Sequence, residues 1–363
     1  MNSPIRILQV VTIMNMGGIE NFIMNVYRNV DRAKIQFDFL VHRKEKGFFD
    51  DEINSLGGNI YTLPALSPLG FFQYKKKLNL FFKTHKIYNV VHSHINATST
   101  IVLAIAKNNK IPVRIAHSHA DSAEGKSLMK NTLKKFLSNV STRNIACSDN
   151  AGKWLFGSNN YEVLANGIDV DKFKFNPELR NKLRQERNIN EKDFVIGHVG
   201  RFSEVKNHDF ILRVFKIIVK DNKDAKLILI GDGELREKIK SKIEDLLLDD
   251  KVILTGVISN ANEYLNLMDF FIFPSFFEGF PLSLVEAQAS GLPLVISRDL
   301  SEDIDLTDLV NRQPIGNNEY NWSKIIIETK STNDRKFYNG EIAKSEYNIK
   351  SVVQKIERLY LNH

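Results

Sequence analysis

"FFIFPSFFEGFPLSLVEAQASGLPLVIS", residues 270–297, decides the fold. Phe270 to Phe273 is a short apolar run of strand type, and "PLVIS" at 293–297 is another. Between them, Pro281 suits the first turn of a helix, where the N–H it lacks would be unpaired anyway, and Gly291 with Pro293 stops that helix. The segment therefore reads as strand, tight loop, helix, strand. It also places Glu278 in the loop ahead of the helix and Glu286 within it. Amides at a helix N-terminus favour anions, so a phosphate fits between the two carboxylates. An E-x7-E pair fits equally a Glu278 that caps the helix and a Glu286 that faces water.

The same alternation runs through the chain. "IRILQVV", "IQFDFLV", "YNVVHSH", "VRIAHSH" and "RNIACS" read as strands, separated by helical stretches around 18–30, 70–84, 97–109 and 127–139. After "EVLANGIDVDKF" the pattern restarts with "FVIGHVG", "KLILIGDG", "KVILTG" and then the 270–297 segment. Apolar strands alternating with helices predict two doubly wound α/β domains with parallel sheets. Ligands in such domains sit beyond the carboxyl ends of the strands, which singles out Gly17, Gly18, His117, Arg201, Gly231, Gly256 and Glu278. Neither "NMGGIEN" nor "IGDGEL" carries the dinucleotide fingerprint or the P-loop's Gly-Lys-Ser/Thr, so a nicotinamide enzyme or P-loop ATPase is not supported.

Composition sets further bounds. The 363 residues suit two domains of roughly 150 to 180 residues each. A single cysteine, Cys147, excludes an internal disulfide and fits a reducing cytoplasm. The apolar run around Arg6 is too short for a signal peptide, and no stretch reaches the ~18 apolar residues of a membrane span. The net charge of +7 is uneven, with 21 basic against 11 acidic residues in 1–168 and 29 against 32 in 169–363. A basic first half suggests an anionic partner such as nucleic acid or an anionic membrane face, or else a solvated surface.

"GHVGRFSEVKNHDF" puts Arg201 at a strand end and Lys206 five residues on. A forked guanidinium and a point-charge ammonium suit a diphosphate. With this motif, "MNMGGIENFIMNVYR", "RIAHSHA", "ACSDNAGKWLFG", "LANGIDVDKF", "LILIGDGELREKI", "VILTGV" and the 270–297 segment, the chain resembles the retaining glycosyltransferases of family 4 along nearly its whole length. Within them it is most similar to those that build bacterial capsular and exopolysaccharide repeat units.

The resemblance implies the GT-B fold, two Rossmann-like doubly wound domains facing across a cleft. Residues 1–168 would form an acceptor-binding domain and 169–345 a nucleotide-sugar domain, with 346–363 a helix crossing back to the first. Glu286 would hold the ribose hydroxyls, and Glu278 the donor sugar's hydroxyls. Gly279, Phe280, Pro281 and Leu282 would offer their amides to the diphosphate, and Arg201 and Lys206 would stabilise its growing charge. Thr255, Gly256 and Val257 would read the nucleobase, expected to be uracil. Gly17 and Gly18 would admit the phosphate, and His117 would orient the sugar, in preference to His119. A covalent intermediate on Glu278 is the rival of a front-face displacement, and the resemblance favours the latter.

His92 and His94 fit either an acceptor side or a structural role. No metal or other cofactor is expected, since two cations and a helix N-terminus replace it. The aspartate pairs at 169–171 and 303–305 are discounted, and no His/Cys cluster has zinc spacing. "LGFFQYKKKLNLFFK", residues 69–83, sets Phe and Tyr beside Lys75, Lys76 and Lys77, and "KSLMKNTLKKFLS" repeats lysines at 126, 130 and 134. These fit interfacial docking on anionic lipid, or a Phe face packed inward with solvated lysines. The expectation is a cytoplasmic enzyme, peripheral on the inner face of a bacterial plasma membrane, taking a lipid-linked glycan acceptor and no nucleic acid. A nucleotide-sugar 2-epimerase of the same fold and a non-catalytic basic binding module are the competing readings.

Overall fold

The computed structural model describes residues 3–67, 70–119, 128–278, 280–329 and 334–361. Thus Gly279, Lys126 and most of the 118–127 loop lie outside the described residues. The chain divides into two compact units, Met1–Gly167 with Ile349–His363, and Ile168–Asn348.

The first unit contains β1 (Ile5–Val10), β2 (Ile35–Val41), β3 (Ile60–Thr62), β4 (Tyr88–Ser93), β5 (Val113–Ser118), β6 (Arg143–Ala146) and β7 (Glu162–Val163). They pair in the order β3-β2-β1-β4-β5-β6-β7, every pairing parallel. The central strands are buried on both faces, which is why they read as unbroken apolar runs. Phe22 and Val26 of the helix Gly18–Asn29 share a core with Ile7, Phe37 and Ile115. The C-terminal helix Ile349–Leu361 closes that core with Val352, Ile356 and Tyr360, the Tyr360 ring standing edge-on to Phe37 at 5.9 Å.

In the second unit β8 (Phe194–Val199), β9 (Ala225–Ile230), β10 (Val252–Gly256), β11 (Phe270–Phe273), β12 (Leu294–Ser297) and β13 (Val310–Gln313) pair in the order β10-β9-β8-β11-β12-β13. These too are parallel throughout. Trp322 is fully buried against Phe210, and its indole N–H donates to the Pro314 carbonyl at 2.9 Å, so no polar atom of the ring is stranded.

Both sheets are doubly wound, as expected from the alternation. Both also place a strand-order reversal at their centre, between β1 and β4 and between β8 and β11, where crossovers leave on opposite sides and a crevice opens. Three strands escape the sequence reading. β3 and β7 have three and two residues, and β13 is the polar "VNRQ". At a sheet's rim a strand needs no buried face, so no apolar run announces it.

Candidate active site

In the second unit the 270–297 segment forms β11, a loop, the helix Leu282–Ala289 and β12. Pro281 stands one residue ahead of the helix, and the far end is a Schellman turn. There the Leu292 N–H donates to the Ala287 carbonyl and the Gly291 N–H to the Gln288 carbonyl. Gly291 is left-handed at φ +65, and a Cβ there would lie 2.6 Å from the Arg335 Cα. The helix is thereby fixed at both ends.

The loops after β8 and β11, neighbours at the reversal point, are tied by the Phe276 N–H, which donates to the Val205 carbonyl at 2.9 Å. That tie brings Lys206 to Glu278. Their Nζ and Oε1 are 2.6 Å apart, with side chains only 16% and 15% exposed. The Lys206 ammonium also lies 4.5 Å from the Phe273 ring centre. Arg201 is placed differently, 73% exposed and paired with Glu234 at 3.0 Å. Each of the two predicted cations therefore has its own carboxylate.

Glu286 is half-buried, and its side chain has no hydrogen bond or ion pair among the described residues. Desolvation without compensation pushes its carboxyl up to about 7. A carboxylate held this way lacks donors. Phe280 stacks on Tyr347 at 4.9 Å, so the loop's return is anchored. Beyond β10, Gly256 takes φ +71 and its carbonyl accepts from the Gly231 N–H at 3.1 Å, while Val257 stays exposed.

In the first unit Gly17 precedes the helix Gly18–Asn29 with an extended backbone, φ −153. A Cβ at Gly18 would meet nothing within 4 Å. Neither glycine is demanded by its own backbone.

His92 and His94 at the end of β4 adjoin His117 and His119 at the end of β5, and His92, His94 and His117 are almost wholly buried. His92 Nε2 lies 3.2 Å from His117 Nδ1, and His94 Nδ1 lies 2.8 Å from His119 Nε2. Burial pushes the rings far down, His92 and His119 to about 3, so all four are neutral at pH 7. Ring nitrogens of His92, His94 and His117 come within 4.8 Å of one another, a set that could hold a metal ion. The sequence reading saw no such cluster, because its members come from two H-S-H pairs 25 residues apart that only strand pairing joins. A cation there would have to displace the hydrogen bonds between the imidazoles. Gln9 and Tyr360, which hold the cluster from behind, were also missed. Gln9 sits in the β1 run, and Tyr360 is 351 residues away.

The helix Phe71–Thr84 corrects part of the amphipathic expectation. Tyr74, Leu78, Phe81 and Phe82 are buried, so most of its aromatic face packs inward. Phe72 and Leu80 remain exposed beside the exposed Lys75, Lys76 and Lys77, and Leu128 and Phe136 of the helix Leu128–Val140 are exposed too. No helix of the described residues is long and apolar enough to cross a membrane.

Two doubly wound parallel-sheet domains, each with a reversal point flanked by polar loops, are the GT-B architecture. The solved structure of Anabaena HepE in complex with UDP and glucose has it, superposing with a TM-score of 0.81 at 19% identity over 98% of this chain and 99% of that one. The chain belongs to glycosyltransferase family 4: residues 16–172 match the model described as Glycosyltransferase Family 4, and 179–302 that of Glycosyl transferases group 1. EpsF of Bacillus subtilis (strain 168), named for a glycosyltransferase, is 32% identical over 99% of this chain and 97% of its own. The UDP-Gal:alpha-D-GlcNAc-diphosphoundecaprenol alpha-1,3-galactosyltransferase of Escherichia coli is 27% identical over 82% and 80%.

Proposed function

We propose that this glycosyltransferase moves a sugar, with retention and without a metal, from a UDP-sugar to a lipid-linked saccharide in bacterial capsule, exopolysaccharide or O-antigen synthesis. The observation that carries the reading is the mostly buried Lys206–Glu278 pair ahead of the helix that bears Glu286, whose side chain has no partner among the described residues. Glu286 lacks donors, and two ribose hydroxyls supply them. Helix N-terminal amides and Lys206 supply positive charge for a diphosphate, with Arg201 reaching in from its exposed position. Gly18 leaves open space where a side chain would otherwise stand. The lipid-linked acceptor of the Escherichia coli relative supports the acceptor class.

In the front-face step the bond from the sugar's C1 to the diphosphate oxygen breaks, and the acceptor oxygen bonds to C1 from the same side. The acceptor's proton passes to the departing phosphate. Lys206 stabilises that phosphate and holds Glu278 as an ion-paired carboxylate suited to accepting sugar hydroxyls, which makes it a poorer nucleophile. A glycosyl adduct trapped on Glu278 and seen by mass spectrometry would reverse this assignment.

The test is a panel of UDP-glucose, UDP-galactose, their N-acetylated forms, UDP-glucuronate and GDP-mannose, with EDTA and bacterial lipid extract. One donor is expected to release nucleotide with wild type and not with Glu286→Ala. Release that needs added metal would contradict metal independence, and a product that stays nucleotide-linked would mark an epimerase.

Peripheral docking on the cytoplasmic face is part of the proposal, through Phe72, Leu80, Leu128 and Phe136 among the lysines. Each lysine near an anionic surface contributes about 1 kcal/mol. Changing Lys75, Lys76 and Lys77 together to Glu is expected to abolish sedimentation with phosphatidylglycerol vesicles at low salt. Unchanged sedimentation would count against this face.

A further inference from the structure

His198, fully buried at the end of β8, holds a lone pair that nothing satisfies. Its Nδ1 lies 2.9 Å from the Ile272 carbonyl, which can only accept, so Nδ1 bears the proton and Nε2 is bare. Among the described residues no group donates to that Nε2. The His208 ring stands edge-on at 4.9 Å, yet neither of its nitrogens has a hydrogen-bond partner. Burial, then His208 and the Lys206 charge, hold the His198 ring far below its usual range, so it is neutral at pH 7. A buried acceptor left unpaired is costly, and an apolar ring in its place would avoid the cost.

Lys206 runs past this lone pair. The point where a Cβ on Gly200 would stand is 2.9 Å from His198 Nε2 and 3.2 Å from Lys206 Cε. The glycine leaves a gap bordered by the lone pair and by the lysine stem, and the ammonium is one bond beyond Cε. It is turned to Glu278 Oε1 at 2.6 Å and lies 4.5 Å from the Phe273 ring centre. That pair is close in charge but off-angle, for Oε1 has no hydrogen bond of proper geometry. The Phe273 ring is in turn 5.3 Å from that of His198, so one aromatic ring borders both places.

We propose that His198 Nε2 is a second seat for the Lys206 ammonium, and that His198 is thereby a positioning residue for the cation at the leaving phosphate. A turn about the last bonds of the lysine moves the ammonium off Oε1 and toward Nε2. The charge stays near enough to keep Glu278 ionised, while the carboxylate oxygens are cleared for sugar hydroxyls. The two N–H groups that remain serve phosphate oxygens. The part His198 plays in the reaction rests on the sugar-transfer reading, whereas the second seat itself does not.

The measurement is long-range proton–nitrogen correlation NMR of the full chain with 15N-labelled histidine at pH 7.5. His198 is expected as a neutral Nδ1–H tautomer, its signals assigned by their loss in His198→Asn. In ligand-free Glu278→Ala the carboxylate is gone, and the His198 Nε2 signal is expected to move upfield, as a lone pair does on accepting a hydrogen bond. Adding Lys206→Ala should return it. In wild type, saturating UDP is expected to move it in the same direction, and in Lys206→Ala to leave it in place. His198→Asn keeps an N–H near the Nδ1 position and loses Nε2, whereas His198→Gln keeps a polar atom near Nε2. Turnover should fall about tenfold in kcat for His198→Asn, with KM for the donor within about twofold, and recover in large part in His198→Gln.

An Nε2–H tautomer, a charged ring, or a His198 signal that Glu278→Ala leaves unmoved would overturn the second seat, as would a shift that persists without Lys206. Glu278→Gln, which keeps the shape of the side chain, serves the same comparison should Glu278→Ala unfold. A moved signal with undiminished kcat in His198→Asn would overturn the part of His198 in the reaction. If UDP does not bind and no donor turns over, the transferase reading fails, while the ligand-free spectra still decide between one seat and two.

Discussion

Lys206→Ala is expected to lower kcat by roughly 10²–10³-fold, the loss typical of one preorganised charge-stabilising donor. Arg201→Ala should cost less. Lys206 is 16% exposed and Arg201 73%, and a cation in water is screened and reorganises for each turnover, whereas a buried one does not. The same substitution carries a stability cost, because Glu278 loses the counter-ion 2.6 Å from its carboxylate. Breaking a buried pair from one side costs about 3 kcal/mol, visible as a lower denaturant midpoint. Adding Glu278→Ala should return much of that stability and none of the activity, since the stranded charge is gone and the cation proposed to stabilise the leaving phosphate is still missing. Separating single-turnover kcat from the unfolding midpoint in this double-mutant cycle distinguishes the two roles. Equal losses for Arg201→Ala and Lys206→Ala would show that burial in the free protein does not rank the cations.

How much of this could be read from the residues depends on sequence distance and on which atoms must be known. The central strands were legible because burial on both faces leaves a continuous apolar signature, as in "LILI" of β9. The helix ends around 282–289 were legible too, since proline and glycine act through the backbone alone. Residue types and spacing also marked Lys206 and Glu278. Their contact was not legible, for it depends on a backbone hydrogen bond between two loops 71 residues apart, from Phe276 to Val205. The histidine cluster lay in plain view as two H-S-H pairs, yet which rings meet is set by the β4–β5 register. For the helix Phe71–Thr84, composition gave the aromatic and lysine faces but not which of them would be buried. The resemblance implied that the C-terminal helix crosses back to the first unit, but which of its residues meets His92 was not legible before Tyr360 was seen there.

Glu286→Gln is expected to weaken UDP binding by about 10- to 100-fold, because two hydrogen bonds to a charged acceptor become weaker bonds to an amide. The pH dependence carries the sharper prediction. In the free protein the carboxyl titrates at about 7, raised by desolvation. In the proposed site ribose hydroxyls donate to the ionised form, so binding would lower this value, and UDP affinity in wild type should fall as pH drops below 7. The Glu286→Gln protein should show a flat profile over the same window, apart from the phosphate's own titration. Calorimetry near pH 7 in buffers of different ionisation enthalpy should detect a fraction of a proton released on binding, absent in the variant. Stability runs the opposite way. A carboxyl whose folded value lies above its unfolded value of 4.5 opposes folding as pH rises from there through about 7, and the cost is full above that. Glu286→Gln should therefore raise the thermal midpoint of the free protein at pH 8 and leave it unchanged at pH 4. A glutamate that destabilises the empty protein and tightens the nucleotide complex is retained for the ligand. An unchanged midpoint at pH 8 with undiminished UDP affinity would instead make Glu286 a solvated helix residue.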